Sequence, residues 1–353
     1  MTAPRMLRLM IVDDSAQNRR VLHDILDRAP RVEVVASCAD GEEALRMALS
    51  LRPDAIFLDL QMPRMDGFTF LRILMNRAPT PVVVVSGYSA KENVFKALEL
   101  GALDFVAKPP AGRPLDEAAD AILEKVRLIR TLERPTAVRA DRVVPSPLPS
   151  PAPSPPAAVR PKRLVAIAAS TGGPAAIGDL LDRIPSGFPG AILIVQHMPE
   201  KFTRTFAERL DRRTSLQVRE AADGDIAIAG TAWVAPGQRC MEVQSTPGGL
   251  RLVVRPPTPT DRYVPSADRL FHSAALAAGP DLLAVVLTGM GDDGREALDA
   301  VKQRGGSIIA EAPETAVIFG MPGAAIRTGH VDQVLPGDRI PAAILDFVAK
   351  GKG

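Results

Sequence analysis

Two hydrophobic patterns alternate along most of the chain. Short runs of β-branched and aliphatic residues are followed by longer stretches in which apolar positions recur every three or four residues, the marks of buried strands and amphipathic helices. Over residues 5 to 130 the alternation is strict. "LRLMIV", "VEVVASC", "AIFLDL", "PVVVVS" and "DFVAK" read as strands; "SAQNRRVLHDILDRA", "GEEALRMALSL", "DGFTFLRILMNR", "KENVFKALELG" and a last segment from Pro114 to Glu133 read as helices. In that last segment Leu115, Ala119, Ile122, Val126 and Ile129 share one face. Such an order predicts an α/β unit: a parallel sheet covered by helices on both faces.

Periodicity stops at residues 134–161, where Pro, Ser and Ala replace the apolar positions, and this stretch is expected to be an extended linker. Residues 162–353 resume the alternation with "LVAIAAS", "AILIVQH", "TAWVAPG", "LRLVVRP", "LLAVVLTG" and "GSIIAEA" as strands and helices near 174–184, 201–211, 267–278 and 294–304. A second, doubly wound and mostly parallel α/β unit is expected. "TAWVA" and "LRLVV", with Pro-Gly-Gly at 247–249 before the latter, suggest an antiparallel hairpin within it.

Composition adds limits. The chain has 353 residues, enough for two domains, and 46% are hydrophobic. Its net charge of +2 gives no reason to expect nucleic acid or an anionic membrane as partner. Cys38 and Cys240 form no CxxC and no disulfide ladder, there is no run long enough to span a bilayer, and acidic residues follow the first apolar run too soon for a signal peptide. A cytoplasmic location is expected.

In the first unit the polar residues gather at strand ends. Asp13 and Asp14 follow the first strand, Asp59 closes the third, Ser86 the fourth and Lys108 the fifth. Parallel sheets bring those ends to one edge, where ligands bind. Three carboxylates together repel unless a cation joins them, and hard oxygen donors suit Mg²⁺. An ion there would neutralise an incoming phosphoryl group and let the Asp59 carboxylate attack it, with Ser86 on a phosphoryl oxygen and Lys108 paired with its charge. The plainer reading is a helix N-cap, which Asp14 or Ser15 also fits. "VDDS", "LDLQMPRMDG", "VVSG" and "DFVAKP", in this order and spacing, resemble the receiver domain of two-component response regulators, a flavodoxin-like (βα)5 fold. The resemblance implies phosphorylation of Asp59 by a histidine kinase. It also implies Mg²⁺ on Asp14 and Asp59, helped by Asp13 and the Gln61 carbonyl, and switching through Ser86 and Phe105.

In the second unit Ser170 follows "LVAIAA" and precedes two glycines and Pro174, a strand-to-helix turn with N–H groups beside it. Such a turn can cradle phosphate, but the Lys of a P-loop and the spacing of GxGxxG are missing. A nucleophilic serine needs a base and an orienting acid. Of the four histidines, His197 alone closes the neighbouring strand, and Asp292 and Asp293 lie just past another strand end. Gly-Asp-Asp-Gly also reads as a surface turn. A zinc site lacks ligand pairs, and a DNA-binding output domain is disfavoured by length and by the want of a basic helix.

"AASTGGP", "QHMP", "FAERL", "APG", "LTGMGDDG" and "VIFGMP" resemble the catalytic domain of the chemotaxis protein-glutamate methylesterases, the CheB family. The resemblance implies Ser170, His197 and Asp293 as catalytic triad, Met290 and Thr171 as oxyanion donors, and no cofactor for ester hydrolysis. The implied substrates are glutamyl methyl esters on chemoreceptor helices, with glutamine deamidation beside them and phosphorylation exposing the site. Two features depart from the family: Val264 and Ala267 stand in "DRYVPSADRLF" where relatives carry Arg and Val, and Ala168 replaces a glycine expected at a tight turn. The alternatives are a phosphorylation-dependent scaffold with a silent hydrolase domain, or an esterase for another methylated protein.

Overall fold

The computed structural model describes residues 5–87, 91–110, 113–132 and 159–350. The chain divides into two compact units, Met1–Pro145 and Ser146–Gly353. The expected linker lies outside the described residues apart from 159–161, where the Val159 carbonyl accepts a hydrogen bond from the Ala229 N–H at 2.9 Å. Among the described residues no helix is long and apolar enough to cross a membrane.

The first unit runs β1 (Leu7–Val12), α1 (Ala16–Asp27), β2 (Val32–Cys38), α2 (Gly41–Leu51), β3 (Ala55–Leu58), α3 (Gly67–Arg77), β4 (Val82–Gly87), α4 (Lys91–Glu99), β5 (Asp104–Lys108) and, after a 3-10 turn at Leu115–Ala118, α5 (Ala119–Thr131). The sheet order is β2-β1-β3-β4-β5 with every pairing parallel. Helices cover both faces, so the central strands are apolar on both sides: Leu9 to Val12, Ile56 to Leu58 and Val82 to Val84 are wholly buried. Helix starts are fixed by side chains that accept from backbone N–H groups: Ser15 from Asn18, Asp40 from Glu42 and Glu43, and Asp66 from Thr69. Ser15, not Asp14, is thus the cap of α1.

The second unit contains β6 (Leu164–Ala169), α6 (Gly173–Leu181), β7 (Ala191–Gln196), α7 (Glu200–Arg213), β8 (Gln217–Glu220), β9 (Ile226–Ala227), β10 (Thr231–Val234), β11 (Cys240–Thr246), β12 (Gly249–Arg255), α8 (Ala267–Ala278), β13 (Leu282–Val286), α9 (Leu298–Gln303), β14 (Ser307–Glu311), α10 (Gly320–Arg327), β15 (Gln333–Leu335) and α11 (Ile340–Ala349). Seven strands form a parallel sheet in the order β15-β14-β13-β6-β7-β10-β8, and β11-β12-β9 form a small antiparallel sheet.

The expected hairpin is corrected. "LRLVV" pairs with β11, a strand absent from the hydrophobic pattern because Glu242, Gln244 and Ser245 interrupt it, and Pro247 and Gly248 make the turn between them. "TAWVA" lies in the parallel sheet between β7 and β8, buried on both faces. Ala168 sits inside β6 with its methyl in the core, not at a turn.

Strand order decides where the chemistry lies. From β6 the chain goes outward through β7, then returns to lay β13 against the other side of β6. A crevice opens at such a reversal, outside the carboxyl ends of the strands.

Candidate functional site

In the first unit the carboxylates of Asp13, Asp14 and Asp59 each offer an oxygen within 4.8 Å of the others. Lys108 reaches across from β5, its Nζ 2.9 Å from Asp13 Oδ2 and 2.5 Å from Asp59 Oδ2. Asn18 Nδ2 and the Ser15 N–H donate to Asp13, and the Gln61 N–H donates to Asp59 Oδ1 at 3.2 Å. Burial raises the Asp59 carboxyl above the ordinary carboxylate range against the pull of Lys108. Burial opposes the charge of Lys108, yet Asp59 and Asp13 together hold its ammonium above the usual lysine range. Ser86 and Phe105 are buried on β4 and β5. Among the described residues no hydrogen bond links Ser86 to the acidic cluster. The structure thus joins Asp13, Asp14, Asp59, Gln61 and Lys108, and leaves Ser86 and Phe105 beside them as strand neighbours.

In the second unit Ser170 and His197 are the next residues beyond the paired ends of β6 and β7, where Ala169 faces Gln196. The His197 N–H donates to the Ala169 carbonyl at 3.1 Å. Ser170 is held from both sides: its N–H donates to the Thr288 carbonyl beyond β13 (3.0 Å), and its carbonyl accepts from Gln196 Nε2 (2.9 Å) and the Gly173 N–H (2.8 Å). The turn that follows requires glycine, because Gly172 has φ +78° and a Cβ there would meet Val317 at 2.9 Å.

Asp293 is buried at the N-terminus of α8. His197 Nε2 lies 2.7 Å from its Oδ2; the Ala267 N–H also reaches Oδ2 (2.8 Å), and the Asp268 and Gly294 N–H groups reach Oδ1 (3.1 and 3.0 Å). An acceptor surrounded by donors at a helix start is the arrangement an ionised carboxylate favours. Nε2 faces the carboxylate, which leaves Nδ1 as the ring nitrogen not bonded to Asp293. Among the described residues no hydrogen bond joins the Ser170 hydroxyl to this ring.

The oxyanion candidates flank Ser170. A Cβ on Gly289 would stand 2.8 Å from Ser170 Cβ, so the loop that continues to Met290 passes directly over the serine. The Met290 N–H has no hydrogen-bond partner among the described residues. Thr171 is buried, and its carbonyl accepts from Thr288 Oγ1 at 2.9 Å. Ala267, one of the departures noted above, acts through its backbone N–H on Asp293, and its methyl packs near Gly294.

Residues 165–344 match the CheB methylesterase family, and residues 9–120 match the response regulator receiver domain. Protein-glutamate methylesterase/protein-glutamine glutaminase 6 of Anaeromyxobacter dehalogenans is 47% identical over 347 residues, covering 97% of this chain and 96% of that protein. The chain belongs to the CheB methylesterase family. The similarly named protein 1 of Myxococcus xanthus is 47% identical over 97% of both chains. The crystal structure of the Thermotoga maritima CheB methylesterase catalytic domain covers 52% of this chain and 97% of its own, with 37% identity and a TM-score of 0.51.

Two residues of this CheB-family site escaped sequence reading. Gln196 is buried, and its Nε2 bridges the carbonyls of Ser170 and His197 (2.9 and 3.1 Å). A polar residue ending the otherwise apolar "AILIVQ" was its signal. Tyr263 stacks on the His197 ring with centroids 5.2 Å apart, and no periodicity around it marked the position.

Proposed function

We propose that this CheB-family chain is a phosphorylation-controlled protein-glutamate methylesterase. It hydrolyses glutamyl methyl esters on cytoplasmic helices of methyl-accepting chemoreceptors and deamidates receptor glutamines. The observation that carries the reading is the buried Asp293 carboxylate held 2.7 Å from His197 at the strand ends that also deliver Ser170.

The chemistry follows from those groups. As substrate enters, the Ser170 hydroxyl meets His197 Nδ1; nucleophile–base hydrogen bonds commonly form only in the substrate complex. The ring takes the serine proton as Oγ attacks the ester carbonyl, and Asp293 holds the tautomer and offsets the imidazolium charge. The Met290 N–H and Thr171 serve the oxyanion, each such donor worth about 3 to 4 kcal/mol. The imidazolium returns the proton to the methoxide, and methanol leaves. Water, deprotonated by the same nitrogen, then cleaves the glutamyl-serine ester and Ser170 recovers its proton. With an amide in place of the ester the same steps release ammonia.

In the receiver domain the donor set is carboxylate oxygen, which fits Mg²⁺. Asp13, Asp14 and Asp59 would hold it with the Gln61 carbonyl, and the ion would offset phosphoryl charge. Asp59 accepts the phosphoryl group from a chemotaxis histidine kinase, Lys108 pairs with it, and Ser86 and Phe105 carry the switch. Phosphorylation of Asp59 raises the esterase activity of the catalytic domain.

The test is methanol release from radiolabelled methylated chemoreceptor membranes, with and without a small-molecule phosphodonor and Mg²⁺. Release that rises with the donor, vanishes in Ser170→Ala and no longer responds in Asp59→Asn supports the proposal. No release while Asp59 is demonstrably phosphorylated overturns it.

A further inference from the structure

A second loop, between β12 and α8, also touches the His197 ring and is bonded to the loop that supplies Asp293. Tyr263 lies parallel to the imidazole, 2° between planes and 5.2 Å between centroids, an offset stack. Its hydroxyl donates to Asp292 Oδ1 at 3.0 Å and accepts from the Asp292 N–H at 3.4 Å. Arg262 and Arg295 hold the same Asp292 carboxylate from other sides, at 3.3 and 3.6 Å. The loop leaves room for the phenol only because residue 291 is glycine: with φ +92°, a Cβ there would stand 2.4 Å from Tyr263 Oη. His197, Tyr263, Asp292 and Asp293 therefore close a ring of contacts, in which one aspartate grips the imidazole edge and its neighbour fixes the aromatic ring lying on the imidazole face.

We infer that Tyr263 is a positioning residue that sets the plane of the His197 imidazole and ties it to the loop carrying Met290 and Asp293. A carboxylate bonded to Nε2 alone leaves the ring able to swing about that contact. A flat neighbour on its face, anchored to the same loop, removes that freedom and keeps Nδ1 directed at the nucleophile. The π face also favours the imidazolium formed after serine attack. Burial and the Asp292 carboxylate raise the phenol above its ordinary range, so it remains a hydroxyl donor while the site works. The inference rests on the esterase reading for its kinetic consequence; the geometry of the ring is separately measurable.

The experiment compares Tyr263→Leu, Tyr263→Phe and the wild-type full-length chain. Loss of the stack in Tyr263→Leu is expected to lower kcat for methanol release about 10- to 100-fold with little change in KM, the scale of a misplaced catalytic group. Tyr263→Phe, which keeps the ring but loses the Asp292 anchor, is expected to recover only part of that loss. In NMR spectra of all three, the His197 carbon-bound ring protons should show the upfield ring-current shift in the wild type and Tyr263→Phe, and lose it in Tyr263→Leu. An unchanged kcat in Tyr263→Leu, or activity lost equally in both variants while the ring current persists in Tyr263→Phe, overturns the inference. Should the wild type release no methanol yet show the ring-current signature, the esterase reading fails and the ring geometry stands. Absence of that signature in the wild type refutes the stack itself.

Discussion

Gly173→Ala tests how Ser170, the proposed nucleophile, is held. A Cβ at residue 173 would stand 2.1 Å from Gln196 Oε1 and 2.7 Å from Ala169 Cβ, against the 3.0 Å that real Cβ contacts respect. Gln196 cannot yield freely, because its Nε2 is committed to the carbonyls of Ser170 and His197. Forcing the amide away by about 1 Å breaks both bonds, at about 1 kcal/mol each, and adds about 1 to 3 kcal/mol of overpacking. The catalytic unit should therefore lose about 3 to 5 kcal/mol of stability. Ser170 and His197, no longer tied to one side chain, shift relative to each other, and if they act as the proposed nucleophile and base a displacement near 1 Å costs about 100-fold in rate. Thermal unfolding and methanol release are measured for Gly173→Ala, Gln196→Ala and the double variant. Because Gln196→Ala removes the obstacle, Gly173→Ala should cost at least about 1 kcal/mol less in that background, with the remainder reflecting the Ala169 contact. Strict additivity, or a Gly173→Ala protein matching wild type in melting and rate, would refute the reasoning.

Three further outcomes are expected. Burial, with the charge of Asp293 nearby, raises the Asp268 carboxyl to about 6 from an ordinary 3.8, while the Ala297 N–H pulls the other way. A raised folded-state pKa gives stability that is full below pH 3.8 and lost as pH climbs through 6; Asp268→Asn should thus gain about 1 to 2 kcal/mol at pH 7, discounted for partial exposure, and nothing below pH 3.8. Equal melting of the two proteins at pH 7 would contradict this. The Asp59 carboxyl is also raised by burial, so ionising it likewise costs stability as pH rises; Mg²⁺ should raise the receiver melting transition at neutral pH, EDTA should reverse the gain, and the effect should fade in acid, whereas a pH-independent Mg²⁺ effect would argue against binding at this cluster. Finally, ¹⁵N NMR of the resting protein should find the His197 proton on Nε2, since that nitrogen faces Asp293; a proton on Nδ1 would reverse the assignment of the transferring nitrogen.

Much of the fold is written in local periodicity. Each strand and helix expected in residues 5–130 occurs, with ends displaced by a few residues at most, because apolar spacing there follows burial on two faces of one sheet. In the second unit β8, β9, β11, β15, α10 and α11 went unread. β8, "QVRE", is short and polar, β11 alternates with polar residues on an exposed face, and α10, "GMPGAAIR", carries the glycines and proline that usually mark a turn. The placement of the candidate residues at strand ends was legible for the same reason that the strands were. Gln196 and Tyr263 were not, since their partners are backbone carbonyls, a ring and a loop remote in the chain.

The chain by itself determined the two α/β units, the polar residues that close their strands, and the glycines that let turns pass close to them. Those properties depend on spacings of two to four residues, which sequence displays directly. Only the tertiary structure decided that β6 lies between β7 and β13, so that Ser170, His197 and Asp293 share one crevice. It also decided that Nε2 of the imidazole meets the acid while Tyr263 covers the ring. Strand order is set by long crossovers and by the packing of helices on both faces, and no local pattern records which parallel strand becomes whose neighbour.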